Sequence, residues 1–258
     1  MPSQETFFTC YRGNQGVWHH AAYMRMSKVL LLRVLLSRHK LESAEKDILD
    51  YGFGAGTFFR YCPKSSRLFG LELDPVNVAE VTAMLGRRGF EQVNLQAMTI
   101  ENWAQHPLLD RKYDVIVCSH VIEHLPEPAV FLERMGRCLK PGGVFLGLVP
   151  INERSMDPHH VQTMSRAKLE AWAGAAQLRL IDWFESDHWL YWLQPLFTRE
   201  RGGRHKCAQV ISLGVGVIAC GVGANVWFKL SRWFGALSCS QPTQAAFVLR
   251  GDRLMATE

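Results

Sequence analysis

The sequence predicts an α/β protein built on a mostly parallel sheet with helices on both faces. Apolar stretches typical of strands alternate with segments of helical period over most of the 258 residues. Two strand centres, Val115–Val117 and Phe145–Leu148, are apolar without alternation, as strands buried on both faces should be. A glycine-rich turn follows the first strand, at the sheet edge where open α/β sheets bind their ligands.

The predicted elements follow one another in a regular order. Strands are predicted at Asp47–Tyr51, Arg67–Asp74, Val93–Ala97, Tyr113–Ser119, Val144–Pro150, Leu178–Glu185 and Gln244–Arg250. Helices are predicted between them at Val76–Arg88, Ile100–Leu109, Pro128–Leu139 and Arg166–Gln177, and before them at Trp18–Met26 and Val29–Leu36. The turn residues Lys140–Gly143 should end one helix and begin the fifth strand.

Bulk composition describes an ordinary globular protein. Of the residues, 48% are hydrophobic and 21% charged, which is enough for a substantial core. The net charge of +5 favours a solvated surface over binding to nucleic acid. The seven cysteines are dispersed without a CxxC pair, which indicates reduced thiols rather than disulfides or a zinc site. The N-terminus shows no secretion signal, so we expect a cytoplasmic protein.

The most informative motif is the glycine-rich turn after the first strand, which should be followed directly by a helix. Gly52, Gly54 and Gly56 stand at alternate positions behind Asp50, so backbone without side chains lies where a ligand must come close. A dinucleotide fingerprint needs G-x-G-x-x-G/A, and this run fails that spacing in both registers. The spacing therefore disfavours a nicotinamide-dependent oxidoreductase.

A second candidate binding residue lies near the end of the second strand. Glu72 stands between Leu71 and Leu73, and this alternation points it toward the crevice at the carboxyl ends of the strands. A carboxylate there can accept hydrogen bonds from both hydroxyls of a ribose. Asp74, directly before Pro75, is better explained as an acid at the N-terminus of a helix.

Together with two later motifs, these residues resemble the class I S-adenosylmethionine-dependent methyltransferases of the type 11/23 kind. Asp50–Gly56, Glu72, Asp114–Pro126 and Lys140–Gly143 occur in the order and spacing of that family, over about residues 41–184. The resemblance implies a Rossmann-like seven-stranded sheet of order 3-2-1-4-5-7-6, with S-adenosylmethionine as cofactor and S-adenosylhomocysteine as product. The cofactor-binding residues expected on this basis are Asp50, Gly52, Gly54, Gly56, Glu72, Leu73, Met98, Thr99, Ser119 and His120.

The resemblance also implies how these residues share the cofactor. The glycines would pack under its methionine part, Glu72 would take the ribose, and Ser119 and His120 would line the methyl-donor side. Many family members place an Asp after the third strand to accept from the adenine amino group. Here Thr99 matches that position best, with Met98 against the adenine ring. A hydroxyl accepts a hydrogen bond but carries no charge.

Four histidines are candidates for the base that removes the acceptor's proton. They are His120, His124, His159 and His160. Histidine suits this role because its pKa lies near neutrality. Each of them could instead cap a helix or hydrogen-bond a loop. We expect no metal, because the sequence shows no cluster of Asp and Asn ligands for a hard cation.

Several acceptor classes are disfavoured. Enzymes that methylate amino groups of nucleic acid or glutamine carry Asn/Asp-Pro-Pro-aromatic after the fourth strand, where this chain has Cys118–Val121. The Pro-Cys nucleophile of cytosine-C5 enzymes is absent, and no basic and aromatic stripe suits single-stranded nucleic acid. A small-molecule or lipid-like acceptor remains.

The segment before the last strand is unusually apolar. From Cys207 to Phe228 no residue is charged. An aromatic-rich stretch precedes it, with Trp183, Phe184, Trp189, Tyr191, Trp192 and Phe197. We expect 207–228 to be a buried helical insertion that covers the acceptor pocket. A patch that dips into a bilayer ranks second, and a transmembrane span ranks third.

The chain accordingly divides into four parts: an N-terminal helical cap (1–40), the S-adenosylmethionine-binding core (41–186), an aromatic lid with the hydrophobic insertion (187–242), and the last strand with its tail (243–258). The cap either closes over the cofactor, as the resemblance implies, or packs on the sheet edge. The predicted function is methyl transfer to oxygen, carbon or nitrogen of a small apolar or aromatic acceptor. The alternative is a catalytically idle binding module of the same fold, associated with a membrane.

Overall fold

The computed structural model describes residues 23–42, 45–153, 159–188 and 203–251. Its strands are β1 (Asp47–Tyr51), β2 (Arg67–Glu72), β3 (Val93–Ala97), β4 (Tyr113–Ser119), β5 (Leu139–Pro150), β6 (Leu178–Ser186) and β7 (Gln244–Gly251). Its α-helices are α1 (Tyr23–Arg38), α2 (Pro75–Arg87), α3 (Pro128–Arg137), α4 (Arg166–Ala175), α5 (Gly203–Val222) and α6 (Ala224–Ser238). Short 3-10 helices span Phe58–Tyr61, Trp103–Gln105, Pro107–Asp110 and Ile122–His124.

The strands form one seven-stranded sheet, and its order β3-β2-β1-β4-β5-β7-β6 confirms the predicted topology. The pairings among β1 to β5 are parallel, whereas β7 runs antiparallel to both β5 and β6. The order reverses between β1 and β4, so the chain leaves these two neighbouring strands toward opposite sides. This reversal opens a crevice at their carboxyl ends, where ligands bind in sheets of this kind.

Helices cover both faces of the sheet. On one face α3 and α4 bury apolar side chains such as Phe131 and Leu169 against the strands. On the other face α1 and α2 do the same with residues such as Leu31 and Leu85. The central strands β1, β4 and β5 are therefore buried from both sides, which explains their apolar sequences.

Three local predictions differ from the structure, and proline accounts for two of them. The helix predicted at Ile100–Leu109 is instead a pair of 3-10 turns, because Pro107 disfavours a helical residue before it. The segment after the glycine turn forms only the four-residue turn Phe58–Tyr61, since Pro63 follows closely. The predicted turn Lys140–Gly143 lies within β5, where the register against β4 shifts at Tyr113.

The expectation of a buried apolar insertion is wrong for the described part of that segment. It forms α5 and α6, which bury one side, including Ala219 and Phe228, against α1 and the sheet. In the described part of the chain no further layer packs against their opposite sides, which are exposed. The exposed apolar side chains of this surface, named the α5–α6 surface below, are Val210, Ile211, Val217, Ile218, Val222, Val226, Leu230, Trp233, Phe234 and Leu237.

Within the described ranges, no single helix has the length and apolar character to cross a bilayer. The segments Leu213–Val222 and Ala224–Ser238 reach that length and character only as a pair, and the pair is bent by 118°. The bend lies at Gly223, whose φ of 81° few other residues adopt. These helices therefore do not form the straight transmembrane span that ranked third among the predictions for this segment.

Some predicted features lie outside the described residues. They are Trp18–Ala22 of the first predicted helix, the loop residues 154–158, and the aromatic residues Trp189, Tyr191, Trp192 and Phe197. Two further aromatics of that aromatic-rich stretch, Trp183 and Phe184, lie on β6 and are partly buried. Trp183 stacks on Phe247 at 6.2 Å between ring centres, and Phe184 meets Phe228 edge-on at 5.6 Å.

Candidate active site

The backbone N–H groups of the glycine-rich turn, which follows β1, form hydrogen bonds with the end of β2. Gly52, Gly54 and Gly56 all have positive φ, at 73°, 51° and 65°. The Gly52 N–H donates to the Leu71 carbonyl at 2.8 Å. The Gly54 N–H donates to Glu72 Oε2 at 2.7 Å. The turn therefore lies against the neighbouring strand at the crevice.

The three glycines differ in what surrounds them. A Cβ on Gly52 would lie 2.5 Å from Val121 Cγ2, and one on Gly56 would lie 2.5 Å from Val81 Cγ1. These two glycines are required by close packing within the protein. A Cβ on Gly54 would meet no described atom within 4 Å. Gly54 therefore presents bare backbone to open space beside Glu72, which is the arrangement a closely approaching ligand needs.

Glu72 is held rigidly at the end of β2. Its Oε2 accepts from Gly54, and its Oε1 accepts from the N–H groups of Leu73 at 2.9 Å and Asp74 at 3.2 Å. An ionised carboxylate offers about four acceptor positions, so Oε2 has capacity for a further hydrogen bond. Burial raises the pKa of Glu72, and these three N–H donors oppose the rise by stabilising the charged form.

Two other carboxylates flank Glu72. Asp50, on β1, is 3% exposed, and burial together with the nearby charge of Glu72 holds its pKa well above the usual range. Asp74 caps α2, because its side chain accepts from the Val76 N–H at 3.0 Å. The interpretation of Asp74 as a helix-terminal acid is therefore confirmed.

The residues expected at the adenine end follow β3. Met98 is 5% exposed within the core, and its N–H donates to the Glu72 carbonyl at 2.9 Å. Thr99 makes a reciprocal turn with Asn102: its N–H donates to Asn102 Oδ1 at 2.8 Å, and its hydroxyl accepts from the Asn102 N–H at 3.2 Å. Its contact with adenine stays a prediction.

The end of β4 carries Ser119 and His120, as predicted. His120 has a positive φ of 56°, and its N–H donates to the Leu148 carbonyl of β5 at 2.9 Å. Its Nδ1 lies 3.2 Å from Glu123 Oε1. Its Nε2 is buried without a hydrogen-bond partner in the described part of the chain. Burial lowers the pKa of His120, and the adjacent Glu123 only partly offsets this.

A cluster of imidazoles surrounds Glu123. The rings of His124 and His160 meet edge-on with their centres 4.9 Å apart. His124 Nδ1 lies 3.0 Å from the backbone oxygen of His159. The loop after β5 is attached here because the N–H groups of Val161 and of its neighbour at 162 donate to the Glu123 carbonyl at 2.8 and 3.0 Å. The structure thus brings three predicted histidines together, with His159 contributing a backbone oxygen.

Sequence reasoning gave too little weight to two acids of this cluster. Glu123 is fully buried, and although burial alone would raise its pKa, the neighbouring His120 and His124 lower it. Glu153 Oε2 lies 2.9 Å from His160 Nδ1. Glu123 stands in the same motif as His124, so its position was a usable signal. Nothing local to Glu153 indicated its partner.

The residues present fit the cofactor implied by the sequence. Gly54 leaves room for a bulky group next to the backbone, and Glu72 is oriented with acceptor capacity suited to a sugar hydroxyl. Both lie at the carboxyl ends of strands beside the topological reversal. The histidine cluster follows the next strand, and Val121 connects the two regions by packing on Gly52.

Comparison with known proteins agrees with this geometry. A family model described as a methyltransferase domain matches residues 18–195. A probable S-adenosylmethionine-dependent methyltransferase of Mycolicibacterium smegmatis is 32% identical over 144 residues, which are 53% of each chain. A ubiquinone biosynthesis O-methyltransferase of Yersinia pestis is 34% identical over 116 residues, covering 43% of this chain and 46% of that one. The chain therefore spans about half the length of the curated relatives it matches.

Solved structures share the fold at low identity. The Burkholderia thailandensis 1,6-didemethyltoxoflavin-N1-methyltransferase, solved with 1,6-didemethyltoxoflavin and S-adenosylhomocysteine, has a TM-score of 0.55 at 15% identity. The match covers 96% of this chain and 86% of that one. The family model spans more than half of the sequence and the observed sheet order is the expected one. The chain belongs to the class I S-adenosylmethionine-dependent methyltransferase family.

Proposed function

We propose that this protein binds S-adenosylmethionine and transfers its methyl group to a small apolar or aromatic acceptor. The observation that carries the proposal is Gly54, whose bare backbone faces open space while its N–H holds the Glu72 carboxylate. Family membership supports the same cofactor. The ribose would hydrogen-bond to Glu72, and the methionine part would lie along the glycine turn.

When bound, the sulfonium cofactor supplies an activated methyl group, so the protein chiefly positions the acceptor and takes up its proton. His120 is the histidine best arranged for proton uptake. Its Nδ1 faces Glu123, so its Nε2 is the nitrogen left to accept a proton. The close approach of Nδ1 to a buried carboxylate would orient the ring, as in other carboxylate–histidine pairs.

We propose an aromatic hydroxyl as the acceptor group. Supporting this choice, one relative is named for O-methylation in ubiquinone biosynthesis. A hydroxyl must lose its proton to become a good nucleophile, and His120 is placed to take up that proton. A neutral amine needs no such base before it attacks. The apolar side chains that flank the site, such as Val121 and Leu73, suit an aromatic ring.

Binding and turnover are tested separately. Calorimetry with S-adenosylhomocysteine should show one site, and incubation with S-adenosylmethionine and a panel of substituted phenols should yield methylated product by mass spectrometry. Binding without turnover on any phenol, amine or enol would favour the idle binding module. Absence of binding would refute the proposal. A His120→Gln variant should bind S-adenosylhomocysteine normally but lose turnover, whereas His39→Gln, remote on the chain after α1, should retain both.

We also propose that the α5–α6 surface contacts an anionic bilayer. Trp233 and Leu237 are 64% and 66% exposed, and Val226, Leu230 and Trp233 follow at helical spacing along one side of α6. Residues 203–238 contain no Asp or Glu, while the exposed Lys229 and Arg232 lie among the apolar side chains. Apolar area with basic neighbours and an aromatic anchor is typical of helices that lie in a membrane interface.

Sedimentation with vesicles tests this contact. The protein should co-sediment with phosphatidylglycerol vesicles and less with neutral phosphatidylcholine vesicles. The double variant Trp233→Ser/Leu237→Ser should lose most of this binding. As a control, Ile100→Ser removes another exposed apolar side chain, 58% exposed, and should bind as before. Failure of the unaltered protein to sediment, or equal binding by the double variant, would refute the membrane contact.

A further inference from the structure

The charge of Glu123 is not balanced by the hydrogen bonds of the described residues. Its side chain is 0% exposed, and neither carboxylate oxygen has a hydrogen-bond partner there, although His120 Nδ1 approaches Oε1 to 3.2 Å. Burying a carboxylate is costly unless it is paired and hydrogen-bonded or coordinates a metal. A cation bound beside Glu123 would balance this charge.

Two histidines approach this carboxylate: His124 follows it in the turn Ile122–His124, and His160 comes from the loop after β5. One ligand atom each from Glu123, His124 and His160 lies within 4.8 Å of the others. Ligand atoms that each bind one ion at about 2.0–2.2 Å are at most about 4.4 Å apart. The upper bound of 4.8 Å exceeds this limit by only a few tenths of an ångström, so at most small side-chain rotations separate the observed set from a coordinated one.

Both histidines are also oriented as metal ligands are. His124 Nδ1 lies 3.0 Å from the His159 carbonyl, and His160 Nδ1 lies 2.9 Å from Glu153 Oε2. A carbonyl and a carboxylate only accept, so each Nδ1 carries the proton and each Nε2 carries the lone pair. Metal-binding histidines characteristically donate their other N–H to such an acceptor, which fixes ring and tautomer.

We propose that Glu123, His124 and His160 bind a divalent transition ion of the Zn²⁺ class. Two imidazoles and one carboxylate are a donor set that suits Zn²⁺, and three protein ligands leave a coordination position open. The expectation that no metal is used considered cysteine zinc sites and oxygen-rich sites for hard cations, but not a mixed set of histidine and carboxylate ligands. The role assigned to the ion rests on the proposed function: its open position would take the acceptor oxygen and lower the pKa of that hydroxyl.

The site lies beside the expected cofactor position. Val121, two residues before Glu123, packs on Gly52 of the glycine turn. His120 directly precedes Val121, and its Nδ1 lies 3.2 Å from Glu123 Oε1. An acceptor oxygen bound to the ion would thus lie near both the methyl donor and the imidazole that takes up its proton.

Equilibrium dialysis of the untagged full-length protein against Zn²⁺, with bound metal measured by plasma mass spectrometry, tests the site without any methyl-transfer assay. One tight equivalent is expected. His160→Ala and His124→Ala should each weaken it at least about 10- to 100-fold, the loss typical even of indirect disturbance of a metal site. His39→Gln, a histidine paired with Asp182 far along the sequence, should bind like the unaltered protein.

Each result decides the proposal. No tight Zn²⁺, or binding that persists in His160→Ala because thiols such as the exposed Cys220 hold the ion, would overturn it. Circular dichroism verifies that the variants fold, and His160→Ala is preferred to Glu123→Gln because Glu123 is fully buried. Calorimetry with S-adenosylhomocysteine on the same samples separates the two proposals: cofactor binding without Zn²⁺ refutes only the metal site, and the converse refutes only the cofactor site.

Discussion

Gly54→Ala should weaken cofactor binding while leaving the protein folded. At φ +51° an alanine is strained by about 1–2 kcal/mol, and the lower entropy of its unfolded state returns part of this. A net loss of about 1 kcal/mol lowers the melting temperature by about 2–4 °C in a chain of this size. The new methyl group clashes with nothing in the described part of the chain, where no atom lies within 4 Å of it.

The methyl group does, however, enter the space proposed for the cofactor. Overfilling a packed contact costs about 1–3 kcal/mol, so the dissociation constant of S-adenosylhomocysteine should rise about 5- to 150-fold. Gly142→Ala is a matched control: its φ is +77°, its Cβ also meets no described atom within 4 Å, and it lies in the bulged start of β5. Both variants should melt alike by scanning calorimetry. Equal affinity for S-adenosylhomocysteine in both, by titration calorimetry, would refute the cofactor position.

Three further predictions follow from single contacts. Glu72→Gln removes the charge-assisted hydrogen bond proposed between Glu72 and the ribose, which is worth about 1.5–3 kcal/mol. Titration calorimetry should therefore show S-adenosylhomocysteine binding about 10- to 150-fold more weakly. Unchanged affinity would contradict the ribose assignment. Burial raises the pKa of Asp47, but its ion pairs, including that with Lys140 at 2.7 Å, lower it overall. Because the pKa of Asp47 is lower in the folded protein, its ion pairs contribute stability that is fully present above the pKa of an unfolded Asp, about 3.9. This contribution is lost as the pH falls from that value through the pKa of the folded state. Lys140→Met should therefore shift acid unfolding, followed by circular dichroism, to higher pH, and an unchanged midpoint would show that the pair contributes nothing. Gly147→Ala places a Cβ 2.0 Å from Phe247 Cζ in the core, so chemical denaturation should show a loss of about 1–3 kcal/mol or more; wild-type stability would mean that the ring moves freely.

The sheet and the glycine-rich turn could be predicted because their signals are local. The strand centred on Ile116 is apolar at every position, since helices cover both its faces. Glu72 was identified by its alternation with two leucines, and its observed place beside Gly54 agrees with the direction that alternation predicted. In both cases the residues adjacent in the sequence determine which way a side chain faces.

Features that depend on distant partners could not be predicted in the same way. The apolar run of α5 is compatible with either a buried or an exposed helix, because the sequence of a helix does not determine whether another layer covers it. The proximity of His160 to Glu123 depends on how the loop after β5 approaches the turn after β4. The short turn at Trp103–Gln105 was missed because apolar spacing outweighed the effect of Pro107.

The ion pairs of Asp47 have a consequence for engineering this protein. Asp47 contacts Arg67 and Lys140 at the amino ends of the strands, and Lys140 reaches Asp114 on a further strand at 2.8 Å. The glycine turn begins at the other end of β1, five residues and about 16 Å away. Substitutions at separations above about 10 Å usually have additive effects. Thermal robustness can therefore be tuned at one edge of the sheet while ligand preference is redesigned at the other.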